Sequence, residues 1–97
     1  MHFVIQYRTR EENAALVSEH RASHREYRGA LGSSVLLAGP LFGAEGDNPI
    51  GSLFIISAEN LEAATQIAVN DPLCSHEIYD LVSVTAFRPM TFNAPAT

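Results

Sequence analysis

Hydrophobic positions along the chain follow two periods, and the switches between them mark the elements. Residues 2–8 (HFVIQYR) carry apolar side chains on both alternating sets, Phe3-Ile5-Tyr7 and His2-Val4-Gln6, which predicts a strand. Residues 34–41 (SVLLAGPL) predict a second strand, with Gly39-Pro40 expected to end its ladder. Residues 51–57 (GSLFIIS) predict a third, with Phe54 and Ile56 on one face and Leu53 and Ile55 on the other. Residues 79–87 predict a fourth. Between the strands the period lengthens. Over residues 11–32, a helix places Leu16, His20, His24, Tyr27 and Leu31 within an arc of about 80°. Gly32 is a candidate C′ residue. A second helix over 61–70 has Asn60 as N-cap and Glu62 in its first turn. Its inward face is Leu61, Ala64, Thr65 and Ala68. Asp71-Pro72 ends it, because the residue before a proline leaves the α region. Residues 42–49 form a loop, and residues 91–97 show no pattern.

The resulting order is β-α-β-β-α-β, the ferredoxin-like α+β arrangement of an antiparallel sheet with both helices on one face. An open sheet with a wet face should alternate cleanly. These strands do not, so the uncovered face calls for a partner, and the simplest is a second copy of the chain. The expectation is a homodimer. Residues 1–90 form one domain and 91–97 a tail, with no internal repeat or linker.

Composition narrows the function. At 97 residues and 10.5 kDa, folding buries about 64% of the chain's surface, enough for one core. The net charge is −5, and all six cationic residues are arginine. An acidic chain without a basic cluster does not match a nucleic-acid or membrane-binding protein. Without lysine it has no Schiff-base chemistry of its own. Cys74 is alone, which excludes an intrachain disulfide and fits a reducing compartment. No signal peptide or spanning segment is evident, so the cytoplasm is the expected location.

Chemistry concentrates at three places: Arg21-x-x-His24, Ala38-Gly39-Pro40 with Gly51-Ser52, and Asp71-Pro72. His20 and His24 stand on a face that should hold leucines. They are either satisfied core residues or aimed at a pocket. An imidazole titrates near neutrality, so His24 can accept and return a proton. A carboxylate bonded to one ring nitrogen fixes the tautomer and stabilises the imidazolium. Side-by-side helices let His24 reach Asp71. The plainer alternative is a buried pair that serves structure only. His20 and His24 at i, i+4 suit a metal only with a third ligand, for which Asp71 and His76 are candidates; no bound metal is expected. Arg21 either clamps an anion or pairs with a surface acid such as Glu11 or Glu26. Ser52 is a hydrogen-bond donor for a ligand or an ordinary strand serine beside a glycine. Cys74 reads as a small hydrophobe.

Taken together, these segments resemble the YciI-like (YCII-related) family over residues 2–90. The pattern is an arginine three before a histidine, a glycine-ended helix, a strand closing in Ala-Gly-Pro, a Gly-Ser strand and a helix ending in Asp-Pro. The resemblance implies a dimeric ferredoxin-like α+β barrel and a catalytic His-Asp pair, here His24 and Asp71. Arg21, Gly39, Pro40, Ser52 and Pro72 are the expected substrate contacts. The family usually continues after the histidine with aliphatic residues, where this chain has Arg25 and Arg28. These extra cations favour an anionic substrate; they stand solvated, at a pocket rim, or against a partner chain. The expected function is a cofactor-independent enzyme acting by proton transfer on a small organic molecule, aromatic or anionic, with lyase (dehydrochlorinase-like) or hydrolase-like chemistry. The alternative is a non-catalytic dimeric module that binds a small ligand or a regulatory partner.

Overall fold

The computed structural model describes residues 1–93 of the 97. Four strands form one sheet: β1 (His2–Thr9), β2 (Val35–Phe42), β3 (Pro49–Ser57) and β4 (Tyr79–Phe87). Their spatial order is β2-β3-β1-β4 and every neighbouring pair is antiparallel. Helices α1 (Val17–Leu31) and α2 (Leu61–Val69), with a short α3 (Pro72–Ser75), complete a ferredoxin-like α+β fold. Arg88 to Asn93 carry neither helix nor strand. The remainder of the expected tail, 94–97, lies outside the described residues.

The core has a simple origin. Phe3, Ile5 and Tyr7 of β1 share a face with Phe54 and Ile56 of β3, and they pack against Ala64 and Ala68 of α2. The two alanines, one turn apart, let α2 lie close to the sheet. The last carbonyls of α2 have no partner within the helix. Asn70 N–H donates to Gln66, the Tyr27 hydroxyl to Ile67 at 2.8 Å, and the buried Tyr7 hydroxyl to Ala68. At the other end Asn60 accepts from Ala63 N–H at 2.8 Å, as an N-cap should.

Close strand contact depends on Gly51. A Cβ there would lie 2.1 Å from the Tyr7 carbonyl oxygen, so β1 and β3 pair at this register only around a glycine.

Leu61, expected on the inward face of α2, is exposed, and the inward contact is made by Ala64 and Ala68; two further expectations need correction. The helix expected over 11–32 begins as a 3-10 segment, Glu11–Leu16, before α1 starts. That segment is tied to the chain before β4: Asn13 Nδ2 donates to the Glu77 carbonyl at 2.9 Å and Arg10 N–H to Ile78 at 2.8 Å. Leu16 is consequently exposed, and Val17 takes the inward position ahead of His20 and His24. The second correction concerns Gly39-Pro40, which does not end β2; the strand runs on to Phe42. β2 is an edge strand paired only with β3, and an edge tolerates the missing N–H of Pro40.

The sheet face away from the helices is apolar over β2 and β3 and mixed over β1 and β4, where Gln6, Ser83 and Thr85 stand beside Val4. Val4, Leu53, Ile55 and Leu37 occupy neighbouring positions there, and Leu37 is 47% exposed.

Candidate functional site

The site begins where α2 stops. Asp71 takes an extended conformation, φ −60° and ψ 130°, and caps α3. Its Oδ1 accepts from Leu73 N–H at 3.0 Å, while Pro72 fills the first helical position that suits proline. The Asp-Pro pair therefore does more than end α2; it turns the chain directly into a second short helix and fixes the carboxylate. Asp71 is 0% exposed.

Two side chains from α1 meet that carboxylate. His24 Nδ1 lies 2.9 Å from Oδ1, and Arg28 Nε donates to Oδ2 at 2.7 Å. Burial pushes the Asp71 carboxyl up, but the His24 hydrogen bond and the Arg28 charge outweigh it and hold the group below the ordinary carboxylate range. An ionised carboxylate only accepts hydrogen bonds, so Nδ1 is the protonated nitrogen and Nε2 of a neutral ring carries the lone pair. Nε2 makes no hydrogen bond among the described residues. The His24 side chain keeps 20% of its surface open.

The opening is a groove between α1 and the sheet. A cavity of about 900 Å³ has Arg21, His24, Arg25, Pro40, Ile50 and Tyr79 on its walls. An adjoining recess of about 340 Å³ shares His24, Arg25, Pro40 and Tyr79 with it and adds Arg28, Gly39 and Ser52. Among the residues expected at the site, His24 and Asp71 come together, Arg21 stands on the wall of the larger cavity, and Gly39, Pro40 and Ser52 line the groove. Pro72 is the exception. It lines neither space, because its ring is committed to the start of α3.

Two participants are not legible as such in the sequence. Arg28 is partly buried, its side chain 14% exposed, with its guanidinium carbon 3.7 Å from the Phe54 ring centroid. Its signal is the i, i+4 spacing from His24, which puts both on one side of α1. Tyr79 stands edge-on to His24, with centroids 6.3 Å apart, and its hydroxyl is pushed up by burial. Nothing local to residues 78–80 marks it. Arg25 lines both spaces. His20 stacks on His76 at 4.2 Å, and no cluster of three metal-ligating side chains is found among the described residues. Cys74 is free, half-buried against the core, and burial pushes its thiol up.

Fold and site thus define a small ferredoxin-like α+β domain with a buried carboxylate held by a histidine and an arginine. The chain belongs to the YCII-related domain family, whose model matches residues 1–88. No curated protein matches it. Among solved structures it is similar to 5-chloro-2-hydroxyhydroquinone dehydrochlorinase (TftG) from Burkholderia phenoliruptrix AC1100 in complex with 2,5-dihydroxybenzoquinone. That match has a TM-score of 0.79 and 22% identity, and covers 91% of this chain and 94% of the other. It establishes the shared fold. Among the described residues no helix is long and apolar enough to cross a membrane.

Proposed function

We propose that this chain is a cofactor-independent enzyme that moves a proton on a small organic substrate, with His24 as general acid/base and Asp71 as its orienting partner. One observation carries the reading: His24 Nδ1 is held at 2.9 Å by a sealed carboxylate, while the same ring borders both parts of the groove. Asp71 directs the lone pair to Nε2. A substrate O–H or activated C–H proton passes to Nε2, and the electron pair left behind expels an anionic leaving group or shifts a double bond. Asp71 stabilises the imidazolium until the proton is returned.

The substrate is aromatic or anionic. Arg21 and Arg25 on the walls favour negative charge, and Tyr79 adds an aromatic ring to the lining. Gly39, Pro40 and Ser52 are the remaining contacts. The dehydrochlorinase of the same fold, solved with a dihydroxybenzoquinone, supports a hydroxylated six-membered ring as the substrate class. The working unit is a homodimer whose open sheet faces pack together into an α+β barrel, and its location is the cytoplasm, which suits the free thiol of Cys74.

The test is a panel of halogenated and halogen-free di- and trihydroxybenzenes, followed by ultraviolet absorbance and halide release. His24→Gln is expected to lower turnover by roughly 10²–10⁴-fold with ligand affinity by calorimetry little changed. Equal turnover by the variant, or tight binding with conversion of no compound, overturns the enzyme reading; the second outcome favours a ligand-binding module.

A further inference from the structure

Asp71 is a buried anion, and the groups facing it come from every element packed around it. From α1 these are His24, Arg28 and Tyr27; from α3, the Leu73 N–H and Cys74; from β1, Tyr7; from β4, Tyr79. The three phenols and the thiol are all pushed up by burial, with the Asp71 charge raising each further. They are therefore neutral at pH 7. Among the described residues, the counter-charge in direct contact with the carboxylate comes from Arg28, permanently, and from His24 only when its ring is doubly protonated.

We propose that Arg28 is a positioning residue of this site: it supplies the standing counter-charge to Asp71, so that the buried carboxylate does not depend on a second proton on His24 for its compensation. The geometry is specific to that task. Arg28 binds Oδ2 through Nε alone and leaves Oδ1 to His24 and Leu73 N–H. A two-pronged arginine fork on both oxygens would compete with the imidazole for Oδ1. Nη2 is instead buried without a hydrogen-bond partner, and the guanidinium is held by the face of Phe54 at 3.7 Å. Without Arg28, a sealed carboxylate would hold its only remaining counter-charge, a proton on His24. Both ring nitrogens would then be donors, and the base would be lost. Arg21 and Arg25, also near His24, stand at the open groove, where solvent screens them.

The use of this device rests on the acid/base reading of His24, but its measurement does not. The His24 Cε1–H resonance is followed by NMR against pH in the full chain, assigned by its loss in His24→Gln. For Arg28→Met the midpoint is expected about one pH unit or more above wild type, a tenfold gain in proton affinity. Arg28→Lys, which keeps the charge and loses the planar contact with Phe54, is expected to titrate close to wild type. A Met variant that titrates as wild type, or Met and Lys variants that shift equally, overturns the assignment. If Arg28→Met does not fold, Arg28→Gln is read in the same way. If neither neutral variant folds, the arginine serves stability and the assignment also falls. Unchanged turnover in His24→Gln would sink the acid/base reading and leave this titration untouched, so the two failures are distinguishable.

Discussion

Arg28 follows His24 by one helical turn, and the two side chains hold opposite oxygens of the Asp71 carboxylate, at 2.7 and 2.9 Å. The pairing makes a single buried anion both the anchor of α1 and the orienting group of the proposed base.

Stability should therefore depend on pH through Asp71. Its folded pKa lies below the ordinary value despite burial, because of His24 and Arg28. A carboxyl depressed on folding contributes stability that is complete above its unfolded pKa of about 3.9 and is lost as pH falls through the folded value. Thermal melts should show this contribution constant from pH 7 to 5 and declining below about pH 4. In Asp71→Asn that acid limb should shrink. The variant should also be less stable at pH 7, by up to about 3 kcal/mol, because the partly buried Arg28 loses its partner charge. Asp71→Asn therefore tests stability and catalysis at once, and a lowered melting temperature does not argue against a catalytic role. Wild-type and Asp71→Asn curves that run parallel down to pH 2.5 would contradict the linkage.

The end of α2 rests on two tyrosines distant in sequence. Tyr7 and Tyr27 donate to consecutive carbonyls, Ala68 and Ile67. Each Tyr→Phe change removes one donor and leaves a helix-terminal carbonyl short of a partner, at a cost of about 1 kcal/mol. Tyr7→Phe should cost more than Tyr27→Phe, since Tyr7 is sealed in the core whereas Tyr27 is partly exposed. Urea denaturation of both single variants and the double variant checks this. A double variant as stable as wild type would mean that water replaces both donors.

What the sequence reveals follows from the physics of each feature. Strand β4 runs from Tyr79 to Phe87, the bounds its residue pattern predicts, because β-branched and aromatic side chains repeat there at the strand period. The cap at Asn60 is equally local. The start of α1 is not, because the hold on residues 11–16 comes from the Glu77 and Ile78 carbonyls, more than sixty residues away. Pro40 misleads for a related reason: whether a proline ends a strand depends on whether the strand is at an edge, which is a property of the sheet. At the site, the fold order and the resemblance bring His24 and Asp71 together. Arg28 stands out in the sequence as an extra cation, but its partner does not, because a cation on an exposed-looking helix reads as solvated, at a rim or against a second chain until its buried anion is located.

The open sheet face leads to the last prediction, a homodimer. Val4, Leu37, Leu53 and Ile55 share that face. One chain exposes 6525 Å², against roughly 5,400 Å² for a compact monomer of this mass. The excess suits a flattened shape, 36 × 32 × 22 Å, that lacks a cover over one layer. A second copy would bury both faces at once, since the same patch on each protomer is its own complement in a two-fold dimer. Sedimentation at micromolar concentration should give twice the 10.5 kDa chain mass. Leu53→Glu, on the open face and away from the groove, should shift the mass toward one chain. It should also lower the melting temperature while keeping the far-ultraviolet circular dichroism, because the core between sheet and helices is untouched. A wild-type chain that sediments as a stable, folded monomer would end this prediction and leave the open face without an explanation. A Leu53→Glu variant that remains dimeric would place the interface elsewhere, with the exposed apolar edge of β2 around Phe42 as the next surface to mutate.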